Sequence, residues 1–170
     1  PDISDVNKLI ELIGCMGVKV TRESGYVTSF EAANVNLDYL QTSEFRTQSS
    51  SLRGSIMIVG PLLARFGKAF IPKPGGDKIG RRRVDTHFIG FQKLGARFEF
   101  DTTDPFFKVE AEALTGTYMH LDEASVTGTA NIIMASVMAK GRTTIYNAAC
   151  EPYIQQLCRM LVSMGAKIEG

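Results

Sequence analysis

Asp77 is the residue around which chemistry could be built. It follows the turn Pro74-Gly75-Gly76 inside the stretch 60–87, GPLLARFGKAFIPKPGGDKIGRRRVDTH. That stretch carries Arg65, Lys68, Lys73, Lys78, Arg81, Arg82 and Arg83, and Asp85 is its only other acid. Cationic neighbours favour an ionised carboxyl group, and a bound anion favours the protonated form, so a lone acid in a basic loop can serve as a proton donor once an anionic substrate arrives. The glycine pair lets backbone approach a ligand closely. A solvated charged hairpin is the plain alternative for the same residues.

Two further groups could face an anion. Asp122-Glu123-Ala124-Ser125-Val126-Thr127-Gly128-Thr129 opens a predicted helix, with Ser125 or Thr127 as its N-cap. Free amides at such a terminus can seat a phosphate, or the segment is simply a capped helix. Arg53 stands in the first turns of an apolar helical pattern, where its charge opposes the helix dipole unless it serves an anion or pairs with an acid such as Glu44. Gly60 to Gly67 are too widely spaced for a phosphate-binding P-loop.

The 170 residues, with formal net charge +1, 44% hydrophobic and 22% charged, fit one buried domain or two small ones. Such a balance argues against a surface that coats nucleic acid. No apolar run is long enough to span a bilayer and no leader opens the chain, so no membrane association is expected. Cys15, Cys150 and Cys158 lack metal-ligand spacing, as do His87 and His120, so no metal site is expected. Cys15 and Cys158 fall in apolar helical patterns and read as small buried hydrophobes in a reducing compartment. The two histidines read as helix-face or strand-end residues.

Periodicity predicts helices over 3–16, 49–66, 84–94, 125–139 and 152–164. Strands are expected at 18–20, from 25, at 96–100, 106–112, 116–121 and 142–147, with 30–47 polar and irregular, a strand with a loop. One helix-to-strand junction occurs three times: Met16-Gly17-Val18-Lys19, Leu94-Gly95-Ala96-Arg97 and Met164-Gly165-Ala166-Lys167. Its glycines are 78 and then 70 residues apart, each a candidate left-handed residue that ends a helix. A second junction pairs Ala64-Arg65-Phe66-Gly67-Lys68 with Met138-Ala139-Lys140-Gly141-Arg142. The implied β-α-β-α-β-β unit would have a partial first copy over about 1–30, a second over about 31–112 and a third over about 113–170. Because the first copy lacks its opening strand and helix, the chain reads as a piece of a longer protein.

Arg53-Gly54-Ser55, Gly60-Pro61-Leu62-Leu63-Ala64-Arg65-Phe66-Gly67, Pro74-Gly75-Gly76-Asp77-Lys78-Ile79-Gly80-Arg81-Arg82, Val84-Asp85-Thr86-His87 and Ser125-Val126-Thr127-Gly128-Thr129 resemble the UDP-N-acetylglucosamine 1-carboxyvinyltransferase family of enolpyruvyl transferases. The resemblance runs along essentially the whole chain. It implies an α/β (α+β) fold, an inside-out α/β prism of repeated units, here a single domain over 1–170, with the second domain of a two-domain enzyme missing. It also implies transfer of enolpyruvate from phosphoenolpyruvate to the 3′-hydroxyl of UDP-N-acetylglucosamine in cytoplasmic peptidoglycan synthesis, without metal or organic cofactor.

By the same resemblance Asp77 is the general acid, at a position where most members carry cysteine and a minority aspartate. Arg53 contacts substrate near the phosphoenolpyruvate. Arg82, Arg83, Val84, Asp85 and Thr86 match the segment that holds the UDP-sugar, and Glu123, Ala124, Ser125 and Val126 the segment around its uridine and diphosphate. Arg83 stands in place of a common proline, and Glu123 in place of a frequent basic residue. The competing readings are a non-catalytic nucleotide-sugar or phosphate-binding module, a basic nucleic-acid binder, and the sister enzyme acting on shikimate 3-phosphate. Catalysis by the 170 residues alone is not expected.

Overall fold

The computed structural model describes residues 2–23, 27–72, 84–101 and 106–170. Asp77, Arg82 and Arg83, with the rest of the basic loop at 73–83, lie outside the described residues. Two compact units divide the chain: the described residues up to Ile56 with Phe70 and its neighbours, and Met57–Ala69 with the described residues from Val84 to Gly170.

In the first unit, helix α1 (Ser4–Cys15) buries Leu12 and, just past its end, Met16. The chain leaves α1 through a left-handed glycine: Gly17 sits at φ +97, its N–H donates to the Gly14 carbonyl at 2.9 Å, and Val18 N–H donates to the Ile13 carbonyl at 3.1 Å. This closure satisfies carbonyls that the helix end would otherwise leave unpaired. Strand β1 (Lys19–Arg22) then pairs antiparallel with β2 (Thr28–Glu31).

The expected irregular segment at 30–47 contains more order than its polarity suggested. A 3-10 helix (Asp38–Gln41) precedes helix α2 (Ser43–Ser50). Thr42 caps α2 by accepting from Phe45 N–H at 3.1 Å, and the fully buried Phe45 meets Tyr39 edge-on at 6.0 Å between ring centres. The single helix expected over 49–66 is broken. Ser49 donates its hydroxyl to the Phe45 carbonyl at 2.5 Å, and Ser55 donates to the Leu52 and Ser49 carbonyls at 2.7 and 2.8 Å. These side chains compete with backbone donors for the same carbonyls. The chain passes through a second 3-10 helix, Arg53–Ile58, before the next α-helix.

Cys15 is not the buried hydrophobe its pattern suggested. Leu12 and Met16 take the inward positions four residues apart, leaving Cys15 exposed, where its Sγ accepts from Gln48 Nε2 at 3.8 Å. Cys150 is also exposed and Cys158 half-buried.

The second unit is built around one enclosed helix. Its elements are α3 (Val59–Phe66), the start of β3 (Lys68–Pro72), α4 (Asp85–Lys93), β4 (Arg97–Asp101), β5 (Phe106–Glu110), β6 (Tyr118–His120), α5 (Val126–Ser136), β7 (Thr144–Tyr146) and α6 (Pro152–Ser163). Helix α5 packs on α3, α4 and α6, and buries Gly128, Thr129, Ala130, Asn131, Ile132 and Ala135. The strands are one-sided: Phe100, Tyr118 and Tyr146 are exposed, while Val109 and Met119 are buried. Strands β4 and β5 form an antiparallel hairpin, with β3 on the other side of β5, while β6 and β7 pair in parallel with α5 as their crossover.

The repeated junction is present in the backbone. Gly95 at φ +100 donates to Gln92 while Ala96 donates to Phe91, both at 2.9 Å; Gly165 at φ +106 donates to Val162 at 2.9 Å while Ala166 donates to Leu161 at 3.0 Å. Among the described residues a strand follows the first two copies and none follows the third. In the third part the order is β6-α5-β7-α6, and before α3 the chain runs through β2, a 3-10 helix, α2 and a second 3-10 helix.

Candidate functional site

The described part of the site lies where α4 and α5 begin, both in the second unit. Helix α5 starts as the sequence suggested, and of its two cap candidates Ser125 is the one used: its hydroxyl accepts from Gly128 N–H at 3.2 Å. Helix geometry leaves the Val126 and Thr127 N–H groups without an intrahelical acceptor. The Val126 side chain is committed elsewhere, packing with Ala130, Ala149 and Ile154. Ser125 and Val126 could therefore reach a ligand chiefly through backbone, and Ala124 is exposed beside them.

Helix α4 opens at Val84, whose backbone lies at φ −113 and ψ 1, and Asp85 occupies its first turn. Thr86 is 2% exposed, and its hydroxyl donates to Glu123 Oε1 at 3.3 Å. The structure thus joins two predicted site residues 37 positions apart and accounts for an acid at 123: Glu123 accepts from the start of α4. Arg53 is half-buried at the opening of its 3-10 helix, in the first unit, rather than inside an α-helix.

Close approach of the helices is made possible by residues without side chains. A methyl on Gly90 would collide with Cδ1 and Cγ1 of Ile132, and one on Gly60 would meet Asn131 Oδ1 at 2.5 Å. A methyl on Gly128 would lie 2.9 Å from Thr86 Cγ2. Each pairing sets α5 against a neighbour: Gly60 on α3, Gly90 and Thr86 on α4.

Residue types alone did not single out the polar network that fills this packing. Gly60 N–H donates to Asn131 Oδ1 at 2.8 Å, which directs the amide so that Nδ2 donates to His87 Nδ1 at 3.1 Å. With Nδ1 accepting, the neutral ring carries its proton on Nε2, which donates to Thr127 Oγ1 at 3.3 Å. His87 and Asn131 are 2% and 0% exposed, so the ring is a fixed joint of the interior. The helix-face placement expected of His87 holds, and its two partners, 40 and 44 residues away, could not be read from the chain. The available hint was the polar pair Thr127 and Asn131, four residues apart on a helix with a buried apolar face.

Among the described residues no cluster of three or more His, Cys, Asp or Glu could hold a metal ion, and no helix is long and apolar enough to cross a membrane.

Comparisons with known proteins agree with this architecture. The family model for EPSP synthase (3-phosphoshikimate 1-carboxyvinyltransferase) matches residues 1–170. UDP-N-acetylglucosamine 1-carboxyvinyltransferase of Bacteroides thetaiotaomicron is 64% identical over 170 residues, and the enzyme of that name from Porphyromonas gingivalis is 61% identical. All of this chain is matched and 39% of each relative, so the chain spans about two fifths of their length. Among solved structures, the enolpyruvyl transferase NikO from Streptomyces tendae superposes over 100% of this chain and 39% of its own, with TM-score 0.71 at 17% identity. An EPSP synthase from Acinetobacter baumannii covers 96% of this chain and 36% of its own, with TM-score 0.64 at 16% identity. The fold is that of one domain of the two-domain enolpyruvyl transferases, and the chain belongs to the EPSP synthase family.

Proposed function

We propose that the protein containing this chain transfers enolpyruvate from phosphoenolpyruvate to the 3′-hydroxyl of UDP-N-acetylglucosamine. The observation that carries this reading is the 61–64% identity, unbroken along the chain, to relatives bearing that enzyme's name. The sister activity on shikimate 3-phosphate has behind it only the description of the matching family model.

In the proposed reaction Asp77 donates a proton to C3 of phosphoenolpyruvate, which makes C2 electrophilic. The sugar hydroxyl attacks C2 and loses its proton; the tetrahedral intermediate then expels inorganic phosphate from C2 while C3 gives up a proton, and the C2=C3 bond of the enol ether re-forms. Arg53 and the loop lysines stabilise charge on phosphate and carboxylate, the kind of term that dominates such chemistry. Arg82, Arg83, Val84, Asp85 and Thr86 hold the nucleotide sugar together with Glu123 and the backbone of Ala124, Ser125 and Val126. The Thr86–Glu123 contact supports a single binding surface made from the starts of α4 and α5. The remaining catalytic groups come from the rest of the full-length protein. A place in cytoplasmic peptidoglycan synthesis follows from the product.

Phosphate release by the full-length protein, with phosphoenolpyruvate and either UDP-N-acetylglucosamine or shikimate 3-phosphate, tests the assignment. Release with the nucleotide sugar alone is expected. Release with shikimate 3-phosphate alone would transfer the reading to the sister enzyme. Release with neither, alongside salt-sensitive binding of single-stranded DNA, would favour a nucleic-acid binder.

A further inference from the structure

The network around His87 has an asymmetry that bears on the proposed nucleotide-sugar surface. On one side its Nδ1 accepts from Asn131, which in turn accepts from Gly60 of α3, deep within the unit. On the other side its Nε2 donates to Thr127, an exposed residue in the first turn of α5. His87 directly follows Thr86, and Thr127 directly follows Val126. The imidazole therefore ties the residue after one predicted binding segment to the residue after the other. The Thr86–Glu123 bond makes a second tie a few residues away.

We propose that His87 is a positioning residue, whose Nε2–H bond to Thr127 holds the starts of α4 and α5 in register for the nucleotide sugar. This rests on the reading of those two segments as the nucleotide-sugar surface. The Asn131 side of the ring anchors it to the interior, and the Thr127 side carries the effect to the binding segments. A core histidine with a purely structural role would need both bonds alike. A positioning role makes the Thr127 bond the one that substrate affinity feels.

Side-chain length allows the two bonds to be separated. In His87→Gln the terminal amide lies near the Nε2 position and can donate to Thr127. In His87→Asn the shorter amide lies near Nδ1 and can meet only Asn131. Thr127→Val removes the acceptor from an exposed position while keeping its shape. The full-length protein and these variants are compared by steady-state kinetics in both substrates, and by thermal melting.

Losing one neutral hydrogen bond of this kind is expected to raise KM for UDP-N-acetylglucosamine about three- to ten-fold in His87→Asn and Thr127→Val. KM for phosphoenolpyruvate and kcat should stay near wild type, and His87→Gln should stay within about two-fold on every parameter, as retention of the Thr127 bond implies. An unchanged nucleotide-sugar KM in Thr127→Val overturns the proposal. So does His87→Gln failing as badly as His87→Asn, or an even loss in both substrates that follows the melting temperature. If wild type does not turn over UDP-N-acetylglucosamine at all, the reading beneath the proposal fails instead.

Discussion

Gly90 and Ile132 give the sharpest test of how α4 and α5 are held together. A methyl at Gly90 would collide with Ile132 Cδ1 and Cγ1, and Ile132 is 0% exposed, so its side chain has no open space to move into. Overpacking of this kind costs about 1–3 kcal/mol. Truncating Ile132 to alanine removes a buried side chain and costs about 2–5 kcal/mol through lost burial and the space left behind. The two changes are complementary, because the methyl added at 90 enters the volume vacated at 132. The double variant Gly90→Ala/Ile132→Ala should therefore be no less stable than Ile132→Ala alone, a favourable coupling of about 1–3 kcal/mol. For a domain the size of this 170-residue chain about 1 kcal/mol moves the melting temperature by roughly 2–4 °C. Differential scanning calorimetry of the full-length protein reads the cycle directly. Additive losses in the double variant, or a neutral Gly90→Ala, would refute the helix contact described here.

Two further outcomes follow from particular residues. At Gly141, φ is +92 and no heavy atom lies within 4 Å of an added methyl, so Gly141→Ala should cost only the left-handed backbone strain of about 1–2 kcal/mol. Gly17 has a similar φ of +97 but faces the Asn34 carbonyl, so Gly17→Ala should melt measurably lower than Gly141→Ala, and equal losses would count against the turn geometry. Fosfomycin should produce no time-dependent inactivation of the full-length protein, because a carboxylate at 77 cannot form the stable thioether that a thiol forms. Asp77→Cys should acquire sensitivity, and inactivation of the unsubstituted protein would contradict the assignment.

Elements with a strong local signal were legible in the chain. Helices α1, α4 and α6 show apolar periodicity and end at a glycine that the backbone uses in its left-handed form, so local pattern and tertiary closure coincide. Helix α2 was missed because Ser43–Ser50 is almost wholly polar, with Phe45 its only buried apolar side chain. Its readable signal was the Thr42 cap. The break at 51–58 depends on serine hydroxyls reaching carbonyls, a competition that apolar spacing does not register. Of the candidate site, the two segments proposed to bind the nucleotide sugar stand in the sequence as motifs. Their contact through Thr86 and Glu123, and the His87 network, arise from residues 37 to 71 positions apart and exist only once α3, α4 and α5 are packed.

The central claim is that Asp77 supplies the proton for enolpyruvate transfer to a nucleotide sugar. Phosphate release from phosphoenolpyruvate and UDP-N-acetylglucosamine by the full-length protein, measured beside Asp77→Asn, tests it most directly. An amide of the same shape cannot donate as an acid, so kcat should fall by about 10²–10⁴ while the protein still binds the nucleotide sugar. Turnover by Asp77→Asn within a few-fold of wild type would contradict the account and place the proton donor on another residue.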